Sequence, residues 1–95
     1  MAFVFIVLHY PEPEQREALV RSMSEMGGLL RDLPGCVAAE PPYRTDDGDC
    51  IVGISKWKSR EAFLSSGLEL RPPDEIVEGE ARPRQRFLLD EATIA

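Results

Sequence analysis

Phe3-Val4-Phe5-Ile6-Val7-Leu8 is an unbroken apolar run near the start of a 95-residue chain. It is short and rich in β-branched and aromatic side chains, which predicts a strand rather than a helix. A strand with one face in water alternates apolar and polar residues. This one does not, so both of its faces are expected to be buried. The run lacks the basic region and small-residue cleavage site of a signal peptide and is too short to span a bilayer. The expected location is therefore cytoplasmic, where the two cysteines are reduced thiols.

Downstream, Pro11-Glu12-Pro13-Glu14 breaks the strand, and Pro13 with its acidic neighbours suits the first turn of a helix. Leu19, Met23, Met26, Leu30 and Leu33 then recur at helical spacing and form one stripe. Gly27-Gly28 weakens or bends this helix, and Leu33-Pro34-Gly35 ends it. Cys36 to Ala39 reads as a second strand and Glu40-Pro41-Pro42-Tyr43 as an irregular exit. Asp46-Asp47-Gly48 is a turn signal. Cys50 to Trp57 follows as a third strand, with Ile51, Gly53, Ser55 and Trp57 on one face and Cys50, Val52 and Ile54 on the other. A turn centred on Asp46-Asp47 sets Cys36 opposite Trp57 and Cys50 opposite Tyr43, too far apart to bridge.

Ser59 is a plausible N-cap for a short second helix containing Ala62, Phe63 and Leu64, with Gly67 near its end. Leu70 to Pro83 reads as a long loop with one helical turn at Asp74 to Val77. Arg86-Phe87-Leu88-Leu89 forms the last strand, and the tail after Glu91 is expected to be loose. The order strand, helix, strand, strand, helix, strand is the α+β ferredoxin-like βαββαβ plan with an antiparallel four-stranded sheet. Residues 1–95 are expected to form a single domain.

Two helices cover only one face of such a sheet, so the apolar first strand needs a second cover. A second copy of the chain, giving a homodimer, is the simplest one. The loop Leu70–Pro83 lying on the outer face is the alternative. The formal charge of −6 argues against nucleic acid and anionic membrane surfaces, both of which need a basic footprint. No metal-ligand cluster or phosphate-binding glycine loop stands out.

The chain resembles the antibiotic-biosynthesis-monooxygenase-like family of dimeric α+β barrels. The resemblance is carried by the apolar strand running into a proline-led helix, by Leu33-Pro34-Gly35-Cys36, and by Ile54-Ser55-Lys56-Trp57-Lys58-Ser59-Arg60-Glu61-Ala62-Phe63. It covers about residues 3–66. It implies a small aromatic ligand and, for some members, cofactor-independent oxidation of phenolic or quinol-type rings. Other members bind and degrade heme, and fold alone does not choose between these. No cofactor is expected on the oxidation reading.

The resemblance places Trp57 on the wall of a cavity between helices and sheet; ordinary core packing is its alternative. Gly53 and Ser55 share its face and either leave room for a ligand or admit a helix closely. Some family oxygenases carry asparagine at the position of Gly53. His9, the only histidine, is the candidate catalytic base, against a boundary residue at a strand end. Tyr10 and Tyr43 are candidates to position a phenolic ligand. Arg82, Arg84 and Arg86 share one face of an extended chain, where they could hold an anionic ligand or form a solvated edge. The heme-degrading members pair the tryptophan with a first-strand asparagine and a second-helix histidine, and both are missing here.

Overall fold

The computed structural model of the chain describes residues 1–68 and 70–93. Strand β1 spans Phe3–His9. A single 3-10 turn at Pro13–Gln15 leads into helix α1, Arg16–Arg31. Strands β2 (Cys36–Ala39), β3 (Tyr43–Arg44) and β4 (Ile51–Trp57) follow, then helix α2 (Arg60–Leu64) and strand β5 (Gln85–Asp90). The sheet runs β2-β4-β1-β5, with β3 also paired to β4. Because β1 occupies the whole other side of β4, β2 and β3 lie end to end along one edge. The ferredoxin-like sheet is thus four strands wide and antiparallel.

The expected elements are present, with adjustments that have local causes. Pro13 starts a tight 3-10 turn, so α1 begins at Arg16 rather than Glu14. Gly27-Gly28 does not interrupt α1, and Gly27 is the helix's one buried residue. Cys36 does face Trp57, but Tyr43 pairs with Val52 and not with Cys50. The register shifts between Cys36 and Ala38, and the two prolines after Glu40 displace the chain again. Cys50 instead faces Thr45, accepting its N–H at 3.0 Å. No helical turn forms over 74–77. Two tight turns replace it, closed by Glu75 N to Pro72 O at 3.1 Å and Glu80 N to Val77 O at 3.0 Å.

Residues opposite one another in the ladders share a face. Phe3, Phe5, Val7 and His9 therefore lie on the helix side with Trp57, Ser55, Gly53 and Ile51. The core sits at one end of that side. Phe63 of α2 packs its ring 5.1 Å from Phe3 and edge-on 5.5 Å from Trp57. Ser59 caps α2, its Oγ accepting Ala62 N–H at 3.1 Å. Gly35 enters β2 at φ +84°, where a Cβ would stand 2.6 Å from Ala62 Cβ. Only glycine fits both the backbone and the space.

The opposite face of the sheet carries Val4, Ile6 and Leu8 of β1, Val52 of β4, and Phe87 and Leu89 of β5. Phe87 and Leu89 are each 45 % exposed. The loop after α2 does not lie on this face. It crosses the helix side, where Leu70, Pro72 and Val77 border the cavity described below.

Candidate functional site

The apolar stripe of α1 does not press onto the sheet along its full length. Beside Phe3 and Trp57, Leu30 and Leu33 join the core. Further along, Leu19, Met23 and Met26 wall a cavity of about 290 Å³ between helix and sheet. Phe5, Val7 and His9 of β1 and Gly53 and Ser55 of β4 form its floor. The loop lines the far side, and Arg84 and Arg86 border it near the start of β5. Mostly apolar walls with a few polar groups are the usual character of a small-molecule site, and this volume lies at the lower end of their range, about 300–1,000 Å³.

The predicted site residues separate into two layers. His9, Gly53 and Ser55 border the cavity, whereas Trp57 and Tyr10 do not. Trp57 is 0 % exposed, so its ring belongs to the core. Its indole Nε1 donates to Ser55 Oγ at 3.0 Å, which makes Ser55 the residue that connects it to the cavity wall. Tyr10 is buried beyond His9, its hydroxyl donating to the Gln85 side-chain oxygen. The Arg82 guanidinium lies 3.7 Å above the Tyr10 ring, a cation–π contact. The three alternate arginines therefore part company: Arg82 stacks on Tyr10, and Arg84 and Arg86 reach the cavity.

Gly53 admits side chains closely. A Cβ there would meet Met23 Cε at 3.0 Å and Val7 Cγ1 at 3.1 Å. Tyr43 is exposed on the edge strand, within 3.5 Å of Glu40. Both cysteines are free thiols, their pKa values raised chiefly by burial. Among the described residues no group of three or more His, Cys, Asp or Glu could hold a metal ion.

His9 is 6 % exposed. Its pKa is lowered to about 4, first by burial, then by the Arg84 cation, with Glu80 opposing both. The ring is thus neutral at physiological pH. Glu80, which sequence reading passed over, lies beside it. Glu80 Oε1 accepts the Tyr10 N–H at 3.2 Å and stands 3.8 Å from His9 Nδ1. Glu80 Oε2 accepts from Arg84 Nε at 2.7 Å, and Arg84 Nη2 stands 2.6 Å from the same oxygen as an ion-pair contact. Further bonds fix the loop to the first strand's exit: Glu12 N to Gly79 O at 2.9 Å and Ala81 N to Tyr10 O at 2.7 Å. No periodicity in 70–84 announces this placement. The available signal, a glutamate four residues before an arginine, occurs twice in this loop, at Glu78/Arg82 and Glu80/Arg84, and does not choose between them.

Comparison with known proteins agrees with the architecture. Residues 1–66 match the family model described as antibiotic biosynthesis monooxygenase. The chain is 32 % identical over 54 residues to a Natronomonas pharaonis protein provisionally named as heme-binding. That match takes in 57 % of this chain and only 9 % of the relative's length. Among solved structures the chain is similar to Rv0793 of Mycobacterium tuberculosis, with TM-score 0.76 and 21 % identity, covering 100 % of this chain and 99 % of that one. It is also similar to a monooxygenase from the ActVA-Orf6 gene of Streptomyces coelicolor, in complex with the ligand nanaomycin D. There the TM-score is 0.69 at 18 % identity, covering 99 % of this chain and 90 % of that one. At such identities these likenesses speak for the fold alone. No described helix is long and apolar enough to cross a membrane.

Proposed function

The chain belongs to the antibiotic biosynthesis monooxygenase family, and from that premise we propose that it is a small cofactor-independent monooxygenase of phenolic or quinol-type aromatics. The observation that carries this reading is the apolar cavity of about 290 Å³ with the neutral His9 imidazole on its wall. His9 accepts the proton of the bound phenol or enol, and the electron-rich ring then reacts directly with oxygen. With an anthrone-type substrate, one oxygen atom enters the ring as a carbonyl in place of the methylene, and the other leaves as water. The substrate itself supplies the electrons. The protein binds, orients and excludes water.

A pKa near 4 makes His9 a weak base in the free protein. Proton transfer inside the cavity leaves an imidazolium beside an anionic ring, and that opposite charge favours the protonated form. Arg86 on the same cavity adds positive charge where the phenolate develops, whereas the Arg84 charge is already paired with Glu80. Gly53 and Ser55 contact the ligand, with Trp57 holding the Ser55 hydroxyl from behind.

A homodimer completes this reading. Val4, Ile6, Leu8, Val52, Phe87 and Leu89 share the outer sheet face, and the loop that was the alternative cover lies on the helix side. A second copy placed on that face would bury about 800 Å² per subunit or more.

The low basicity of His9 and the sealed position of Trp57 favour one other reading, a non-catalytic binder of small aromatic ligands. Heme is poorly matched to either. β1 carries no asparagine, α2 ends at Leu64 without a histidine, and the one histidine keeps Nδ1 turned toward Glu80. Oxygen uptake with a panel of hydroquinones and anthrones decides between the two readings. Uptake with matching product, lost in His9→Gln, supports the monooxygenase. Ligand-induced chemical-shift changes at cavity residues without any uptake would leave the binder. Hemin titration is expected to give weak binding and no ascorbate-driven loss of the Soret band.

A further inference from the structure

We propose that Glu80 is a positioning residue that acts through His9, holding the imidazole proton on Nδ1 and so leaving Nε2 as the acceptor offered to the cavity. The inference rests on the reading of His9 as the base. Glu80 lies outside the stretch 1–66 that matches the family, in the loop that lines the cavity.

The geometry has three parts. First, His9 Nδ1 is buried and has no hydrogen-bond partner among the described residues. A buried nitrogen left unpaired is costly, and a carboxylate oxygen stands 3.8 Å from it. That distance is longer than a hydrogen bond, so the carboxylate acts on Nδ1 through its charge and the direction of its lone pairs. Second, the carboxylate cannot turn away. Arg84 holds Oε2 through an Nε–H hydrogen bond and an Nη2 ion-pair contact, and the Tyr10 N–H holds Oε1. The Glu80 side chain is only 4 % exposed, so water does not compete for it. Third, a neutral imidazole carries one proton. With that proton on Nε2, the Nδ1 lone pair would face a carboxylate lone pair, acceptor against acceptor. With it on Nδ1, donor faces acceptor, and Nε2 becomes the lone-pair nitrogen.

Glu80→Gln makes the argument sharp. The carboxamide has one oxygen, and the two short guanidinium contacts claim it over the single backbone N–H. The amide NH₂ then occupies the Oε1 position facing His9, where it needs an acceptor on Nδ1. The tautomer inverts, and Nε2 becomes protonated. Glu80→Leu removes both oxygens and leaves nothing that favours the Nδ1 proton.

The test is long-range proton–nitrogen correlation spectroscopy of the isotope-labelled full chain at neutral pH, without ligand. The native protein is expected to show His9 protonated at Nδ1, and Glu80→Gln to show it protonated at Nε2. Should Glu80→Gln not fold, Glu80→Leu gives the same comparison, with the Nδ1–H preference lost. With any aromatic the native protein oxidises, Glu80→Gln is expected to lower kcat by about tenfold or more and to leave KM within about twofold. An Nε2–H tautomer in the native protein, or an Nδ1–H tautomer that persists in the variants, overturns the proposal. Absence of any oxidised aromatic would instead remove the proposed reaction, and the spectra would still decide the role of Glu80.

Discussion

Trp57 Nε1 donates a 3.0 Å hydrogen bond to Ser55 Oγ, tying a ring sealed in the core to a hydroxyl on the cavity wall. Ser55→Ala leaves the buried indole N–H unpaired, at a cost of about 1–3 kcal/mol. Trp57→Ala empties a large core site and is expected to cost about 3–5 kcal/mol. Urea unfolding measures both. A Ser55→Ala protein as stable as the native one would mean that the bond contributes nothing. As the only tryptophan, Trp57 should emit to the blue and resist quenching by acrylamide.

His9 carries a pH signature. Its folded pKa of about 4 lies below the unfolded value of 6.5, so the unfolded chain binds the proton first as pH falls. Stability is therefore unaffected by His9 above about pH 6.5, declines through the window down to about 4, and is lowest below it. The full difference is on the order of 3 kcal/mol. Carboxylates also titrate in this range, so the comparison is native protein against His9→Gln. Denaturation midpoints should diverge between neutral and acid pH, the variant losing less stability. Equal losses would mean that His9 titrates normally.

Gly35→Ala is expected to destabilise the fold by about 1–3 kcal/mol from backbone strain alone. The overlap with Ala62 adds to this. Gly28 lies on α1 with no atom within 4 Å of where its Cβ would stand, so Gly28→Ala is expected to stabilise by about 0.5–1 kcal/mol. Thermal unfolding of the two variants should move in opposite directions.

The outer sheet face predicts assembly. Light scattering at micromolar concentration should report twice the mass of the 10.6 kDa chain. Phe87→Lys, placed on that face, should halve the mass while leaving the far-ultraviolet circular dichroism spectrum unchanged. A native protein that scatters as a monomer refutes the dimer.

The sequence carried much of this fold because its signals were local and strong. β1 has no polar interruption, α1 has a clean stripe, and the parity of Gly53, Ser55 and Trp57 follows from strand geometry. Register failed where two residues could be absorbed without a periodic cue. The shift after Cys36 and the two prolines moved Tyr43 from Cys50 to Val52. The site was less legible. Parity put Trp57 on the right face but did not say whether Phe63 or a cavity would meet it. His9 meeting Glu80 depends on a loop without periodicity returning to β1 across most of the chain length. Arg82 and Arg84 likewise diverged because Pro83 precedes the regular strand, so strand alternation does not extend to them.

The loop that seats Glu80 has a consequence for how such a protein changes over time. The floor of the cavity belongs to β1 and β4, whose residues also hold the sheet together. The cover, 70–84, is anchored to that scaffold by a handful of polar contacts around Tyr10 and Glu80, and it supplies much of the remaining wall. Under the proposed function, shape and charge at the ligand's outer edge can therefore be altered in the cover while the scaffold is left intact.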